Sequence, residues 1–353
     1  MMILDGDLER RSNNFDLIRL VAALFVLIGH APAILYNQGF SFDPFHAIFG
    51  LRMQTLGVCV FFIVSGFLVS RSWEKRKSVY GFFVSRLLRI YPALIGVVLL
   101  SVLVLGPCLT TLNLADYFAS PITAKYLQNI SLYRMYYQLP GVFESNPHPG
   151  SVNGSLWTLP YEFTCYMLLV VLGSFKVLEN RYATLFFALM LFISYWLFQP
   201  ILDVVVLPVF GIDFRSFLPL LIYFSTGMVF YQFSNSLRFG WLGWAFCGLV
   251  CVLIQLGIIP QIMFAWILPY LVLSISFSKK IKFNDFGRYG DFSYGFFLYA
   301  FPIQQLIVYL SPFKLTVFPM VMLSIVCTLP FAIVSWRLIE KPALGLRSWL
   351  IKS

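Results

Sequence analysis

About ten apolar runs, each close to the length of a membrane-crossing helix, constrain this sequence more than any other feature. A helix needs roughly 20 apolar residues to cross about 30 Å of hydrocarbon. Runs of this length lack the alternation of barrel strands, and open strands cannot satisfy their backbone in lipid. The sequence therefore predicts an all-α, polytopic integral membrane helical bundle, with a single transmembrane domain over residues 1–353. The predicted spans are 15–36, 52–71, 86–106, 156–174, 183–200, 216–234, 241–257, 260–278, 293–311 and 317–337.

The distribution of Lys and Arg predicts the orientation of these spans. Basic residues cluster after the second, fourth, sixth, eighth and tenth spans and are nearly absent from the intervening loops. Because cytoplasmic loops hold the excess of Lys and Arg, both termini are expected in the cytoplasm. The short N-terminal tail is then 1–13 and the C-terminal tail 338–353. The long outer loop, 107–155, is expected to hold a re-entrant or interfacial helix, or to cap a substrate entrance.

Composition excludes several function classes. Only 11% of the residues are charged, against about 25% in soluble domains. The net charge of +10 comes from short clusters between apolar runs, so no nucleic acid partner is expected. The six cysteines lie mostly inside apolar runs without metal-ligand spacing, which predicts no metal site and no disulfide framework.

Charged and ionisable residues inside a span are candidates for function because they cost at least about 2.5 kcal/mol at mid-bilayer. Arg19 and His30 are eleven residues apart in the first span, which brings them within about 20° of one face. Asp16 lies three residues before Arg19 and can pair with it. A neutral imidazole can take a proton from a hydroxyl group near neutral pH. A hydrogen-bonded packing histidine is the alternative reading of His30.

Three further features stand near the ends of spans. Arg86 and Arg89 form an R-x-x-R at the cytoplasmic start of the third span, where two guanidinium groups can bind a phosphate or simply anchor the helix. Glu162, at the outer end of the fourth span, can support a catalytic histidine, bind an acceptor hydroxyl, or be an interfacial carboxylate. Gln304, which with Gln305 interrupts the ninth span, can bind substrate. A last group, expected to anchor the end of the tenth span, comprises Trp336, Arg337 and Glu340.

Several segments together resemble the membrane acyltransferase 3 family, in the standalone transmembrane form. The resemblance covers residues 13–345 and includes the arginine–histidine spacing of the first helix. The segments that carry it are NFDLIR (14–19), GVCVFFIVSGFLVS (57–70), RLLRIYP (86–92), NGSLWTLPYE (153–162), SYGFFLYAFP (293–302) and SWRLIEKP (335–342).

The resemblance implies an acyltransferase of a bacterial inner membrane. Its donor would be acyl-CoA, usually acetyl-CoA, entering from the cytoplasm, with phosphates bound by Arg86 and Arg89. Its acyl acceptor would be a carbohydrate or lipid-linked glycan, such as O-antigen, approaching from the outside past Glu162. His30 would be the general base, supported by Glu162, while Arg19 holds the donor or neutralises charge. The residues expected to bind substrate are Asp16, Asn153, Trp157, Tyr161 and Gln304.

Some questions stay open at the sequence level. An acyl-histidine intermediate competes with direct transfer. Many family members have a histidine where Ala300 stands, so a mechanism that needs a histidine there is excluded for this chain. A transporter or lipid-linked sugar flippase would also have about ten helices with intramembrane charges, although no repeated halves are evident. A membrane scaffold without chemistry would leave His30, Glu162 and the paired arginines unexplained.

Overall fold

The computed structural model describes residues 13–37, 46, 50–76, 78–202, 208–209, 212–278, 280–281, 283 and 286–352. This part of the chain is helical, apart from loops and one antiparallel pair of two-residue strands, Pro208–Val209 and Ile212–Asp213. The predicted tail 1–13, except Asn13, lies outside the described residues, as do three lysines of the predicted cytoplasmic loops, Lys77, Lys279 and Lys282.

Twelve helices organise the described residues. They are α1 Phe15–Tyr36, α2 Met53–Arg76, α3 Val79–Leu100, α4 Leu114–Ala119, α5 Pro121–Leu127, α6 Leu159–Ser174, α7 Arg181–Leu202, α8 Phe214–Gln232, α9 Trp241–Gln255, α10 Phe264–Ser276, α11 Ser293–Leu310 and α12 Val317–Val334. Helix α3 continues through a π-helical turn, Ser101–Leu105, to Leu109, and α12 continues through another, Ser335–Glu340, into Lys341–Gly345 and Arg347–Lys352.

Seven helices in the described ranges are long and apolar enough to cross a membrane: α1, α2, α3, α6, α7, α8 and α12. The prediction of a multi-pass helical membrane protein is thereby confirmed. Helices α9 and α10 are shorter, with 15 and 13 residues. Helix α11 has 18 residues, but its glutamines and tyrosines lower its mean hydropathy. The count of ten spans and the cytoplasmic termini therefore stay predictions.

Several boundaries differ from the sequence expectation, and α2, for example, ends at Arg76 rather than at 71. Helix α3 begins at Val79 rather than at 86, because the segment before Arg86 is also apolar and contains Phe82 and Phe83. The predicted C-terminal tail, 338–353, is largely helical, since α12 continues through its π-helical turn to Lys352.

The predicted outer loop contains α4 and α5, and the buried Tyr117 of α4 donates a hydrogen bond to the Val102 carbonyl, 3.0 Å away. This loop is therefore ordered and packs back on the end of α3.

The helices divide into two compact units. The first contains residues 1–22, 42–82 and 161–289 and has α2 and α8 at its core. A Cβ atom on Gly66 of α2 would collide with the Phe224 carbonyl of α8, and one on Gly227 of α8 would collide with the Ile63 carbonyl of α2. The two helix backbones touch because neither glycine has a side chain, as small residues allow in membrane helix pairs.

The second unit contains residues 23–41, 83–160 and 290–353, with α11 and α12 packed together. A Cβ atom on Gly295 would lie 2.7 Å from the Ala332 Cα, so this crossing also depends on a glycine. All of the first 13 residues of α11, Ser293 to Gln305, are buried. Helix α11 therefore forms the centre of the second unit.

Candidate active site

His30 lies on α1 and packs against the aromatic ring of Phe301 on α11. Its imidazole is half-buried and contacts Phe301 edge-to-face, with 5.3 Å between ring centroids. None of the described residues forms a hydrogen bond with this imidazole, so the unprotonated nitrogen of the neutral ring is available to accept a proton. Gln304, one turn beyond Phe301, donates from Nε2 to the Leu27 carbonyl at 2.9 Å, which places it beside the His30 turn of α1.

The segment 153–158 holds this ring in place. Pro302 lacks an N–H group, so the Leu298 carbonyl one turn earlier loses its helical donor. Asn153 replaces that donor, with Nδ2 2.8 Å from the Leu298 carbonyl oxygen. A Cβ atom on Gly154 would lie 2.7 Å from the Phe301 ring. The NGSLW segment thus seats Phe301 beside His30, and the amide of Asn153, predicted to bind substrate, serves the fold.

Gln304 has a second feature that bears on substrate binding. Its side chain is fully buried, yet its Oε1 atom has no hydrogen-bond partner among the described residues. Buried polar atoms usually have a partner, because leaving one unsatisfied costs about 1–3 kcal/mol. This amide oxygen can therefore accept a hydrogen bond from a hydroxyl group of a bound molecule. Trp157, half-buried in the turn Gly154–Thr158, belongs to the same unit.

Arg89 is part of a buried ionic network in the second unit. Its guanidinium group lies 2.6 Å from the Asp291 carboxylate and 3.7 Å from Glu340. Glu340 also accepts a hydrogen bond from Ser335 at 2.9 Å, across the π-helical turn. Arg89 further lies over the Tyr294 ring, 5.6 Å from its centroid. Arg89 thereby links α3 to Asp291, just before α11, and to Glu340, just after α12.

Arg86 is half-buried one turn before Arg89 on α3. The i, i+3 spacing places both guanidinium groups on one side of the helix. Asp291 and Glu340 balance the charge of Arg89, and phosphate binding by the pair stays a prediction.

The remaining candidate residues belong to the first unit. Glu162 of α6 accepts hydrogen bonds from Ser65 of α2, at 2.9 Å, and from the Tyr166 hydroxyl group. Tyr161 is buried and stacks on Phe217 of α8, with 5.8 Å between centroids. Asp16 and Arg19 are half-buried in α1, and Asp16 packs against Gly287. The support of His30 by Glu162 stays a prediction.

Sequence reasoning missed four residues of these clusters. Asp291 lies two residues before the predicted ninth span and Ser65 lies inside the second, and nothing in the sequence shows what they contact. Glu340 was expected only to anchor a helix end. His148 was assigned to a loop, although its ring lies 6.1 Å from the Phe301 ring. The described residues contain no group of His, Cys, Asp and Glu that could hold a metal ion.

Comparison with known proteins gives consistent matches over nearly the whole chain. A family model described as an acyltransferase domain matches residues 12–337. A protein of Shigella phage Sf6 named O-acetyl transferase is 29% identical over 343 residues, covering 94% of this chain and 96% of that protein. Nodulation protein 10 of Rhizobium leguminosarum bv. viciae is 30% identical, covering 96% of this chain and 95% of its own length. No solved structure matches the chain.

Proposed function

Because this chain belongs to the acyltransferase 3 family, we propose that it transfers an acetyl group from acetyl-CoA to a hydroxyl group of a cell-surface carbohydrate or its lipid-linked precursor. The name of the phage relative, O-acetyl transferase, supports both the acetyl group and the oxygen acceptor. The long apolar helices support action within a membrane, which we take to be a bacterial inner membrane. The carbohydrate follows the substrates typical of the family.

The observation that carries the chemical step is the environment of His30. Its half-buried imidazole packs on Phe301 and forms no hydrogen bond with the described residues, which leaves a ring nitrogen to accept a proton. The acceptor hydroxyl gives its proton to His30 while its oxygen attacks the thioester carbonyl carbon. The carbon–sulfur bond then breaks, and the CoA thiolate leaves and takes the proton from the imidazolium.

Donor binding is assigned to the basic residues. Arg86 binds the phosphates of acetyl-CoA from the cytoplasmic side, and Arg89 contributes the N–H groups that Asp291 and Glu340 do not use. Arg19 neutralises charge along the donor, and Glu162 supports the histidine. Trp157 and the free amide oxygen of Gln304 bind the acyl acceptor. Asp16 and Tyr161 stay predicted substrate-binding residues.

The test is an acetyl-transfer assay on the full chain in nanodiscs. Radiolabelled acetyl-CoA and a crude lipid-linked glycan extract are supplied, and both CoA release and label in the glycan are measured. We expect wild-type transfer, and a loss of about 10²- to 10⁴-fold in His30→Ala. The matched control is His46→Ala, at an exposed histidine to which no role is assigned, and it should retain activity.

Two outcomes would contradict the proposal. Wild-type protein that is folded but moves no label from acetyl-CoA would reject the reaction. Transfer that persists unchanged in His30→Ala would keep the reaction but remove His30 from its centre.

A further inference from the structure

His148 approaches the same aromatic ring as His30. It comes from the predicted outer loop, and its ring centroid lies 6.1 Å from that of Phe301, while His30 contacts Phe301 at 5.3 Å. The second unit therefore contains two imidazoles at one phenyl ring.

The segment that carries His148 is fixed to α11 by Gln305. This buried side chain donates from Nε2 to the carbonyl groups of His148, at 2.8 Å, and Ser151, at 2.7 Å. Its Oε1 atom and its backbone carbonyl both accept from Asn146 Nδ2 at 2.9 Å. Four hydrogen bonds to one glutamine hold the backbone on both sides of His148, so the imidazole is positioned rather than free to swing away.

Asn37 contacts one nitrogen of His148. Asn37 follows α1 in the left-handed conformation, with φ 52°, and its Oδ1 atom lies 3.2 Å from Nδ1 of His148. In the tautomer whose Nδ1 donates to this oxygen, the neutral ring presents Nε2 as an acceptor. Partial burial lowers the pKa of His148, which favours this neutral form. None of the described residues donates to Nε2.

We propose that His148 binds the acyl acceptor by accepting, at Nε2, a hydrogen bond from the hydroxyl group that neighbours the one acetylated. This inference rests on the proposed function and specifies its acceptor as a molecule with neighbouring hydroxyl groups, as sugars have. His30 takes the proton of the reacting hydroxyl, while His148 orients the acceptor through the adjacent one. His148 thereby contributes to acceptor affinity and not to donor affinity.

Two substitutions separate this role from a structural one. In His148→Asn the amide N–H can still donate to Asn37, but the atom equivalent to Nε2 is lost. In His148→Gln the amide oxygen can accept in place of Nε2, while the bond to Asn37 is lost. We expect His148→Asn to raise the apparent KM for the glycan extract about tenfold, as the loss of one hydrogen bond predicts, with the KM for acetyl-CoA unchanged. His148→Gln should stay within a few-fold of wild type.

The reverse order, with His148→Asn active and His148→Gln impaired, would show that the contact with Asn37 is the only role of His148 and would overturn the inference. Equal rises in both KM values would overturn it as well, since acceptor binding alone would not be affected. Wild-type protein without acetyl transfer would reject the proposed function and this inference together. Unfolding temperatures of both variants are measured beside the kinetics, so that a lost fold is recognised.

Discussion

Arg89, one helical turn after Arg86 on α3, lies in a buried ionic network. Arg89 has Asp291 at 2.6 Å and Glu340 at 3.7 Å, and only 15% of its side chain is exposed. Removing one member of a buried ionic group leaves the others without a counter-charge, which costs about 3–5 kcal/mol. Arg89→Ala should therefore lower the unfolding temperature in detergent markedly.

Arg86→Ala is the matched comparison, because it removes the same side chain from the same helix one turn earlier. We expect it to raise the KM for acetyl-CoA, because Arg86 is proposed to bind the phosphates of the donor. An unchanged KM for acetyl-CoA in Arg86→Ala would contradict that role. Arg89→Lys should be intermediate, since an ammonium group cannot contact two carboxylates with the geometry of a guanidinium fork.

The ionic network also shows why single residues were harder to predict than helices. The R-x-x-R spacing identified Arg89, but its main partner, Asp291, is 202 residues away along the chain. Sequence periodicity describes neighbours on one helix and carries no information on which helices meet. His30 is a candidate from the sequence because an ionisable residue in an apolar run stands out, whereas His148 in a polar loop does not.

At the scale of elements, α2 and α8 cross with their backbones in contact. Gly66 faces the Phe224 carbonyl, and Gly227 faces the Ile63 carbonyl. An added methyl group at either place must push two helices apart, and overpacking of this kind costs about 1–3 kcal/mol. We expect Gly66→Ala and Gly227→Ala each to lower the unfolding temperature, measured by thermal melting in detergent.

Gly248→Ala is the control for this prediction. Gly248 lies within α9, and a Cβ atom there would meet nothing within 4 Å. Because alanine favours a helix over glycine by about 1 kcal/mol, this substitution should not destabilise the protein. A melting temperature for Gly66→Ala as high as that of Gly248→Ala would mean that the α2–α8 crossing is looser than the glycine contacts indicate.

The extent of most helices followed from the sequence, because long apolar runs admit little else. Helix α1 occupies the predicted 15–36, and α11 ends within a residue of its predicted limit. The exceptions are places where apolar residues continue past a charged one, as before Arg86, or where a π-helical turn carries the helix onward, as at Ser335–Glu340. The role of the NGSLW segment needed the fold, since the carbonyl that Asn153 satisfies belongs to Leu298.

For the whole molecule, the proposed mechanism depends on how the chain crosses the membrane. The donor must meet Arg86 on the cytoplasmic side, and the acyl acceptor must reach His148 from the outside. The distribution of Lys and Arg predicts this orientation. Helix α6 connects the predicted outer loop to the predicted cytoplasmic loop that holds Lys176. The accessibility of one residue before α6 and one after it therefore tests the orientation directly.

Two single-cysteine variants, made in a protein without other cysteines, test this orientation by chemical labelling. Tyr133 is 56% exposed in the predicted outer loop, and Lys176 is exposed after the end of α6. In intact cells a membrane-impermeant maleimide should label Tyr133→Cys, while Lys176→Cys should react only after the membrane is opened. The reverse pattern would invert the chain, move His148 to the cytoplasmic face and require a cytoplasmic acyl acceptor. Labelling of both positions from outside would mean that α6 does not cross the membrane, although it is one of the seven helices long and apolar enough to do so.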